Sequence, residues 1–509
     1  MERGPLTMLF DDFPRGVTTR NLNEHHTPLA AWTRPEDIAA APPLRYDPTK
    51  IFLGKIGETL IGVADDRHMV TVAGSRAGKG VSAIVPNLIH YEGSVLAIDP
   101  KGELANITAR RRAATAPEGL GQQVYVLDPF NRCAPRVEPY KASYNPLSIL
   151  KMDSPTLVED AGLIADALVI AEGHDPHWDD SARNLIESLI LHVATYPDFA
   201  DKRDLVTMRS LLMNGAHISD GENDASGMDG LQVQMFHNVG LLSESAAAPL
   251  AEAIEAAAND FFDKPPTERG SVLSTARRHT KFLDFPNIQS VLRHHDFDLT
   301  TLKTAQPGMS VFLCLPAAQL ATCNRWFLLF VNLALEAMER EASKPKVPVL
   351  LCLDEFAALG HMRQVEAAAG QIAGFGVKLW PILQDLTQLK RDYKDGWETF
   401  LGNAGVLQFF GNNDTTTLEY ISKRLGKTSM IVSRGSQTTH DQRTQGASGT
   451  SWATEVHDLI TAEEAGRMFG RDDQLHRQLI VRAGKDPMVL ERVAHHDDPY
   501  FNGKYDQWG

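Results

Sequence analysis

Short, uniformly apolar runs that end in Gly, Asp or Pro recur along this sequence from Met69 onward. They read MVTVAG, SVLAIDP, QVYVLDP, SVFLCLP, PVLLCLDE, VKLWPILQD and GVLQFFG. Runs of about five or six apolar residues without alternation are typical of strands buried on both faces, which occur in parallel sheets covered by helices. The runs therefore predict an α/β fold with a mostly parallel central sheet.

A different pattern interrupts the strand series at about residues 151–300. In WDDSARNLIESLILHV, which begins at Trp178, apolar residues recur at intervals of three and four and form one helical stripe. The runs AAAPLAEAIEAAAN and SVLSTARRHTKFL continue in the same manner. We therefore expect residues 151–300 to form an all-helical domain, inserted between two parts of the sheet domain at residues 51–150 and 301–509.

Two further stretches have neither pattern. Residues 1–50 mix Pro, His and short apolar pieces without sustained periodicity, which predicts an irregular N-terminal arm. The stretch SRGSQTTHDQRTQGASGTS, which begins at Ser433, has almost no large apolar residue. We therefore expect a mobile loop at about residues 433–455.

The first run leads into VAGSRAGKGVS, a stretch similar to a phosphate-binding loop. A strand that ends in a glycine-rich turn and opens a helix collects backbone N–H groups around one point, and such a point binds anions. The usual loop reads Gly, four residues, Gly-Lys, then Ser or Thr, whereas Ala73 and Gly80 replace its first and last residues here. Ser82 lies two positions further, about 200° around the helix, and cannot simply supply the missing hydroxyl.

We predict that this loop binds the phosphates of a nucleotide. Lys79 would reach the β and γ phosphates, and the glycines would let the backbone approach them closely. The predicted nucleotide-binding residues are Gly74, Ser75, Arg76, Ala77, Gly78, Lys79, Gly80 and Val81. The alternative is a glycine-rich strand-to-helix turn without a ligand.

A second strand, in PVLLCLDEFAALG, ends in two acids. Hydrolysis of a nucleotide needs such an acid to hold Mg²⁺ near the phosphates, which is the role that we predict for Asp354. Glu355 would be the general base for the attacking water. Gln384, at the end of the strand in LWPILQD, would sense the γ phosphate. Ordinary strand ends with solvated side chains are the alternative for all three residues.

Several long motifs resemble, in order, the TraG-like coupling proteins of type IV secretion and conjugation systems. They are GSRAGKGVSAIVPNLIHYEGSVLAIDPKGEL, YNPL, HWDDSARNLI, SVLSTARR, LDEFAALG, GFGVKLWPILQDLTQL and WETFLGNAGVLQFFGNNDTTTLEYISKRLG. The phosphate loop of that family commonly reads RxGKG. The resemblance therefore implies that Gly80 is a family trait and that the loop binds ATP, with Mg²⁺ held mainly by Asp354 and water.

The resemblance also implies a RecA-like P-loop motor domain with an inserted all-α domain. Such proteins form hexameric rings that bring single-stranded DNA or relaxase–DNA substrate to a conjugation or secretion channel. An arginine from an adjacent subunit would complete the site, and Arg424 in ISKRLG is one candidate. Family members usually begin with transmembrane helices, whereas this sequence resembles the membrane-free members. We therefore expect a cytoplasmic protein without direct membrane insertion, either free or recruited to the inner membrane by a partner such as a channel protein.

The charge of the chain limits how it binds nucleic acid. Fifty Lys and Arg against 65 Asp and Glu give a net charge of −15, which excludes binding by bulk positive charge, so any contact must be local. The dense basic clusters are Arg110 to Arg112 and the group Arg277, Arg278, His279 and Lys281. A solvated helix face is their simplest interpretation, and DNA contact is the alternative.

The leading hypothesis is thus an ATPase that couples hydrolysis to DNA or substrate transfer. One alternative is a receptor that binds nucleotide with little hydrolysis and recruits protein cargo. A second alternative is a P-loop scaffold without nucleotide turnover.

Overall fold

A computed structural model describes most of the chain, namely residues 30–170, 177–214, 230–244, 248–435 and 450–508. The chain divides into two compact units. The first unit comprises residues 1–92, 352–357 and 378–505, and the second comprises residues 93–351, 358–377 and 506–509. No helix within the described residues is long and apolar enough to cross a membrane.

The strands follow one another along the chain as follows: β1 (Ile51–Ile56), β2 (Thr59–Val63), β3 (His68–Ala73), β4 (Val95–Asp99), β5 (Gln123–Leu127), β6 (Met309–Cys314), β7 (Val349–Leu353), β8 (Val377–Leu383), β9 (Ala404–Phe410), β10 (Lys427–Gly435), β11 (Thr450–Asp458), β12 (Arg477–Arg482) and β13 (Met488–Glu491). All the apolar runs noted in the sequence fall on strands, namely β3 to β9.

The helices are α1 (Pro35–Ala40), α2 (Val85–His90), α3 (Glu103–Ala113), α4 (Leu157–Leu168), α5 (His177–Thr195), α6 (Leu205–Asn214), α7 (Gly230–Ser243), α8 (Ala248–Phe262), α9 (Pro266–His279), α10 (Pro286–Leu292), α11 (Thr301–Thr304), α12 (Ala317–Arg340), α13 (Arg363–Gln371), α14 (Leu386–Tyr393), α15 (Trp397–Gly402), α16 (Thr415–Leu425) and α17 (Ala462–Met468).

The first unit is built on a sheet with the strand order β2-β1-β13-β12-β9-β3-β8. Strand β3 lies between β9 and β8 and pairs in parallel with both, so that Val72 is opposite Phe409 and Leu383. All residues of these three strands are buried, which requires that both faces of the sheet are covered. Strands β12, β13, β1 and β2 continue the sheet in antiparallel pairing. The parallel centre confirms the predicted fold class, whereas the sequence analysis did not predict the antiparallel extension.

The second unit contains the parallel strands β4, β5 and β6, the first part of β7 and most of the helices. Strand β6 lies between β4 and β5, with Leu313 opposite Ile98 and Leu127. Between β5 and β6 the described residues form helices and no strand. The stripe predicted for α5 is buried at every position, namely Ala182, Leu185, Ile186, Leu189, Ile190 and Val193. The helical character expected of this segment is therefore present.

Two expected irregular stretches lie partly outside the described residues. Of the predicted N-terminal arm, residues 1–29 lie outside them, and the remainder contains helix α1. Of the predicted mobile loop, residues 436–449 lie outside them, while its described flanks belong to β10 and β11. These two strands form an antiparallel ribbon in which Lys427 is opposite Asp458.

Candidate functional site

The glycine-rich loop of the first unit connects β3 to a tight helical turn and then to α2. Arg76 and Gly78 have φ angles of +58° and +88°, so the chain enters the left-handed region twice within three residues. The turn itself spans Gly80–Ile84 and has π-helical geometry. A methyl group added at Gly80 would meet no atom within 4 Å, so crowding within the protein does not exclude a side chain there. The hydroxyl of Ser82 donates to the carbonyl of Gly78 at 2.8 Å and is occupied in holding the loop.

A second glycine-containing turn supports the loop. A methyl group at Gly74 would lie 1.8 Å from the carbonyl oxygen of Gly411, which follows β9. Gly411 has a φ of +67°, and a methyl group there would lie 2.2 Å from the Cβ atom of Ala77. The two backbones therefore touch directly, and a side chain on either glycine would push the loop from its place. This close approach explains why Gly74 is a glycine.

Lys79 forms ion pairs with both acids that follow β7. Its ammonium lies 2.6 Å from Oε1 of Glu355 and 3.0 Å from Oδ1 of Asp354. The side chains are 18%, 30% and 17% exposed, respectively, so the cluster is partly shielded from water. The structure thus brings together three residues that the sequence placed in two separate motifs. Two carboxylates next to one ammonium leave an excess of negative charge in this protein without ligands.

Gln384 and Asn412 extend the cluster. The amide nitrogen of Gln384 donates to Oε2 of Glu355 at 3.1 Å, and the amide nitrogen of Asn412 donates to the carbonyl of Gln384 at 3.2 Å. Asn412 is 3% exposed, and its Oδ1 atom is buried without a hydrogen-bond partner. The sequence analysis missed Asn412, although the GNND stretch that follows strand β9 was a usable signal.

Burial and the ion pairs shift the pKa values of this cluster. Burial lowers the pKa of Lys79, but attraction to Asp354 and the hydrogen bond with Glu355 outweigh it, so the pKa lies above its usual value. Burial raises the pKa of Asp354, an effect that Lys79 opposes and the charge of Glu355 reinforces. Lys79 therefore stays charged at neutral pH. A cation that approaches Asp354 would stabilise the ionised form of its carboxyl group.

Glu355 has a strained backbone. Its φ of +52° lies in the left-handed region, which costs a residue with a Cβ atom on the order of 1 kcal/mol or more. Its N–H donates to Oδ1 of Asp354 at 2.9 Å, which holds both carboxyl groups at the end of the strand. Strain of this kind persists where surrounding contacts fix it, and such positions are frequent at functional sites.

The segment after β13 contacts the glycine-rich loop at two points. Nη1 of Arg492 donates to the carbonyl of Ala77 at 2.6 Å. The backbone N–H of His495 donates to the carbonyl of Val81 at 3.0 Å, and its Nδ1 lies 3.1 Å from the same oxygen and must carry the proton. The sequence analysis missed both residues, because they lie more than 400 positions from the loop in an unremarkable stretch.

Arg424 is placed differently from the other predicted site residues. It is exposed in the last turn of α16, and within the described part of the chain no hydrogen bond or ion pair links it to Lys79, Asp354 or Glu355. It is therefore not part of the cluster that one chain builds by itself.

A glycine-rich loop after a parallel strand, whose lysine meets an acid pair at the end of a second strand, defines the class of P-loop nucleotide-binding proteins. Comparison with known sequences narrows this class. Residues 32–507 match the family described as Type IV secretory system Conjugative DNA transfer, and the chain belongs to that family.

Relatives and solved structures agree with this assignment. The conjugal transfer protein TraG of Escherichia coli is 26% identical over 96% of this chain and 80% of its own length. The structure of the bacterial conjugative coupling protein TrwBdeltaN70 aligns with a TM-score of 0.63 at 14% identity and covers 95% of this chain and 94% of its own. A TrwB structure in complex with ADP and Mg²⁺ aligns with a TM-score of 0.58 at 13% identity and covers 89% and 91%. The two structural likenesses confirm the predicted fold, an α/β fold with a mostly parallel central sheet and an all-helical part.

Proposed function

We propose that this chain is an ATPase that uses hydrolysis to move single-stranded DNA or a relaxase–DNA complex toward a conjugation or secretion channel. The observation that carries the proposal is the cluster in which Lys79 meets Asp354 and Glu355 beside the glycine-rich loop. Membership of the conjugative DNA transfer family supports the transfer role. The TrwB complex with ADP and Mg²⁺ supports the choice of ligand.

The residues present fit a triphosphate. Gly78 gives the loop a turn that favours glycine, and the space beside Gly80 is open. The first turn of a helix has N–H groups without partners inside the helix, and these suit phosphate oxygens. Lys79 would exchange its two carboxylate partners for the β and γ phosphates. The predicted nucleotide-binding stretch, residues 74–81, remains our assignment of the phosphate site.

The acid pair fits a divalent cation and a general base. Asp354 would hold Mg²⁺, which supplies positive charge to the phosphates during hydrolysis. Once Lys79 has moved to the phosphates, Glu355 would accept the proton of an attacking water. Gln384 donates to the far oxygen of Glu355 and would keep that carboxylate oriented. Asn412 in turn holds the strand end that carries Gln384.

We extend the proposal to the assembly. Chains of this family type would form a hexameric ring in which an arginine of a neighbour, with Arg424 as the candidate, reaches the phosphates. The helical segment at residues 151–300 would act as an inserted domain that meets substrate. The protein would work on the cytoplasmic side and be brought to the inner membrane by channel proteins.

An ATPase assay with and without single-stranded DNA tests the proposal. Hydrolysis that DNA stimulates is the expected result. Tight ATP binding with negligible turnover, with or without DNA, would instead favour the receptor that recruits protein cargo. Absence of ATP binding would leave only a P-loop scaffold and overturn the proposal.

A further inference from the structure

Arg492, the residue that follows β13, is a buried cation in direct contact with the glycine-rich loop. It is 8% exposed, and its Nη1 donates to the carbonyl oxygen of Ala77 at 2.6 Å. Ala77 lies between Arg76 and Gly78, the two loop residues with positive φ angles. The guanidinium therefore holds the carbonyl of Ala77 in place, at the point where the loop turns.

The other contacts of Arg492 are uncharged. Its Nε donates to the carbonyl of His476 at 3.3 Å, and its guanidinium carbon lies 4.9 Å from the ring centroid of Phe410. Within the described residues no carboxylate lies at ion-pair distance from Arg492. Asp473, the acid whose charge influences it, is bonded to Arg477. A buried cation without a paired anion is costly, because it has lost its hydration without electrostatic compensation.

We propose that Arg492 is a positioning residue of the phosphate site, which draws the Ala77 carbonyl toward itself and adds a buried positive charge that the nucleotide phosphates neutralise. This inference rests on the proposed binding of ATP. Burial lowers the pKa of Arg492, in agreement with a cation that no carboxylate of the described residues pairs with. This arrangement would strengthen the binding of ligands in proportion to their phosphate charge. It would not distinguish one nucleotide base from another.

Ligands of graded charge test this proposal. We would measure the binding of ATP, ADP and adenosine to wild type, Arg492→Met and Arg492→Lys by calorimetry at low and high salt. For Arg492→Met we expect a loss of ATP affinity on the order of tenfold at low salt, the scale of one shielded charge pair. The loss should be smaller for ADP, absent for adenosine, and reduced by salt. Arg492→Lys keeps the charge and should retain most of the affinity.

Steady-state kinetics give a second readout. An interaction that is equally strong in the bound and transition states changes KM and not kcat, so Arg492→Met should raise KM with kcat little changed. If Arg492 only stabilised the fold, Arg492→Met would instead lower the apparent kcat in proportion to the folded fraction, which circular dichroism measures.

Arg112→Met is the matched control, because Arg112 is likewise a buried arginine and bonds to the Gly93 carbonyl and Gln122 in the second unit. It should leave the ATP affinity of the folded fraction unchanged. If wild type does not bind ATP, the proposed function itself fails. If wild type binds and Arg492→Met binds ATP equally well, or loses ATP and adenosine alike, the role of Arg492 is refuted. If Arg492→Met does not fold, Arg492→Lys provides the test. An ATP affinity of Arg492→Lys as low as that of Lys79→Ala would refute the role of Arg492.

Discussion

Lys79 is the residue on which the resting state of this site depends. Its ammonium is shared by Asp354 and Glu355, so the group that we propose for the phosphates is paired with the acids that we propose for the metal and the base. Their linear motifs made these residues predictable, because a phosphate loop and an acidic strand end are each contiguous in sequence. Arg492 was not predictable in this way, since its contact with the loop arises only when a distant segment packs there, whereas Gly411 and Asn412 had a signal in the GNND stretch.

Replacement of Lys79 by Ala should abolish both ATP binding and turnover. Lys79 meets the phosphates in the ground state and in the transition state, so its loss affects both. Calorimetry and a phosphate-release assay measure the two effects, with the exposed Lys101→Ala as the control. Retention of wild-type ATP affinity by Lys79→Ala would contradict the assignment of the loop.

Glu355→Gln should separate binding from hydrolysis. The amide keeps the shape and a hydrogen bond but cannot accept a proton, so turnover should fall by roughly 10²- to 10⁴-fold with near-normal ATP affinity. Single-turnover measurements would then show that bound ATP accumulates. Hydrolysis at the wild-type rate would mean that another group is the base.

At the scale of elements, a buried polar chain joins three helices of the second unit. His279 at the end of α9 lies 2.9 Å from Asp179 of α5, and its other ring nitrogen lies 3.0 Å from the guanidinium of Arg325 on α12. Arg325 can only donate, so the histidine is neutral there and donates to Asp179. Arg278, the last residue of SVLSTARR, also donates to Asp179 of HWDDSARN at 3.3 Å, so the two motifs meet in the helical part of the chain.

The basic clusters also differ from their simplest interpretation. Arg112 is fully buried, and Arg277 donates to the carbonyls of Leu212 and Met213 at the end of α6. Helix ends leave carbonyls without partners inside the helix, and a long cationic side chain can satisfy them from a distant element. The interpretation of both clusters as solvated helix faces is therefore wrong for these two arginines.

The helical segment should lose stability in acid through His192 of α5. This histidine is fully buried, and its pKa is lowered by burial to about 4. A lowered pKa means that its contribution to stability is complete above pH 6.5 and is lost as the pH falls through about 4, up to about 3 kcal/mol. His192→Leu should flatten the decline in the free energy of unfolding across this range, whereas the exposed His294→Leu should not.

Denaturant titrations at several pH values between 4 and 7 measure this effect. Equal acid sensitivity of His192→Leu and wild type would exclude His192 as the source.

For the whole molecule, we expect assembly to accompany ligand binding. Within one chain, as far as its residues are described, Arg424 has no hydrogen bond or ion pair to Lys79, Asp354 or Glu355, and P-loop motors commonly take an arginine from a neighbour. Mass photometry with Mg²⁺ and a non-hydrolysable ATP analogue should show a species of higher mass than the chain alone. Arg424→Ala should bind ATP normally and hydrolyse it slowly. A monomer under all conditions, including single-stranded DNA, would remove the neighbour's arginine from the mechanism.

At the same scale, the sequence specified the parallel strands better than the outer ones. Strands β3 and β9 are buried throughout and read as continuous apolar runs. Strands β2 and β13 are short and only partly buried, at four to five residues each. Strand β2 pairs with the neighbouring β1, whereas β13 pairs with β1 through Lys55 and Glu491, a pairing between distant segments that one sequence does not reveal.

The ion pairs of Lys79 imply that the site takes up its two proposed ligands together. A divalent cation alone would approach acids that are already paired with Lys79, whose ammonium would repel it. A nucleotide stripped of its cation would have to pull Lys79 away and leave two carboxylates uncompensated beside its own phosphates. Only the two ligands together replace each broken contact. The phosphates would pair with Lys79, and the divalent cation would pair with the two acids. We therefore expect the nucleotide and the divalent cation to bind tightly together and weakly when either is added alone.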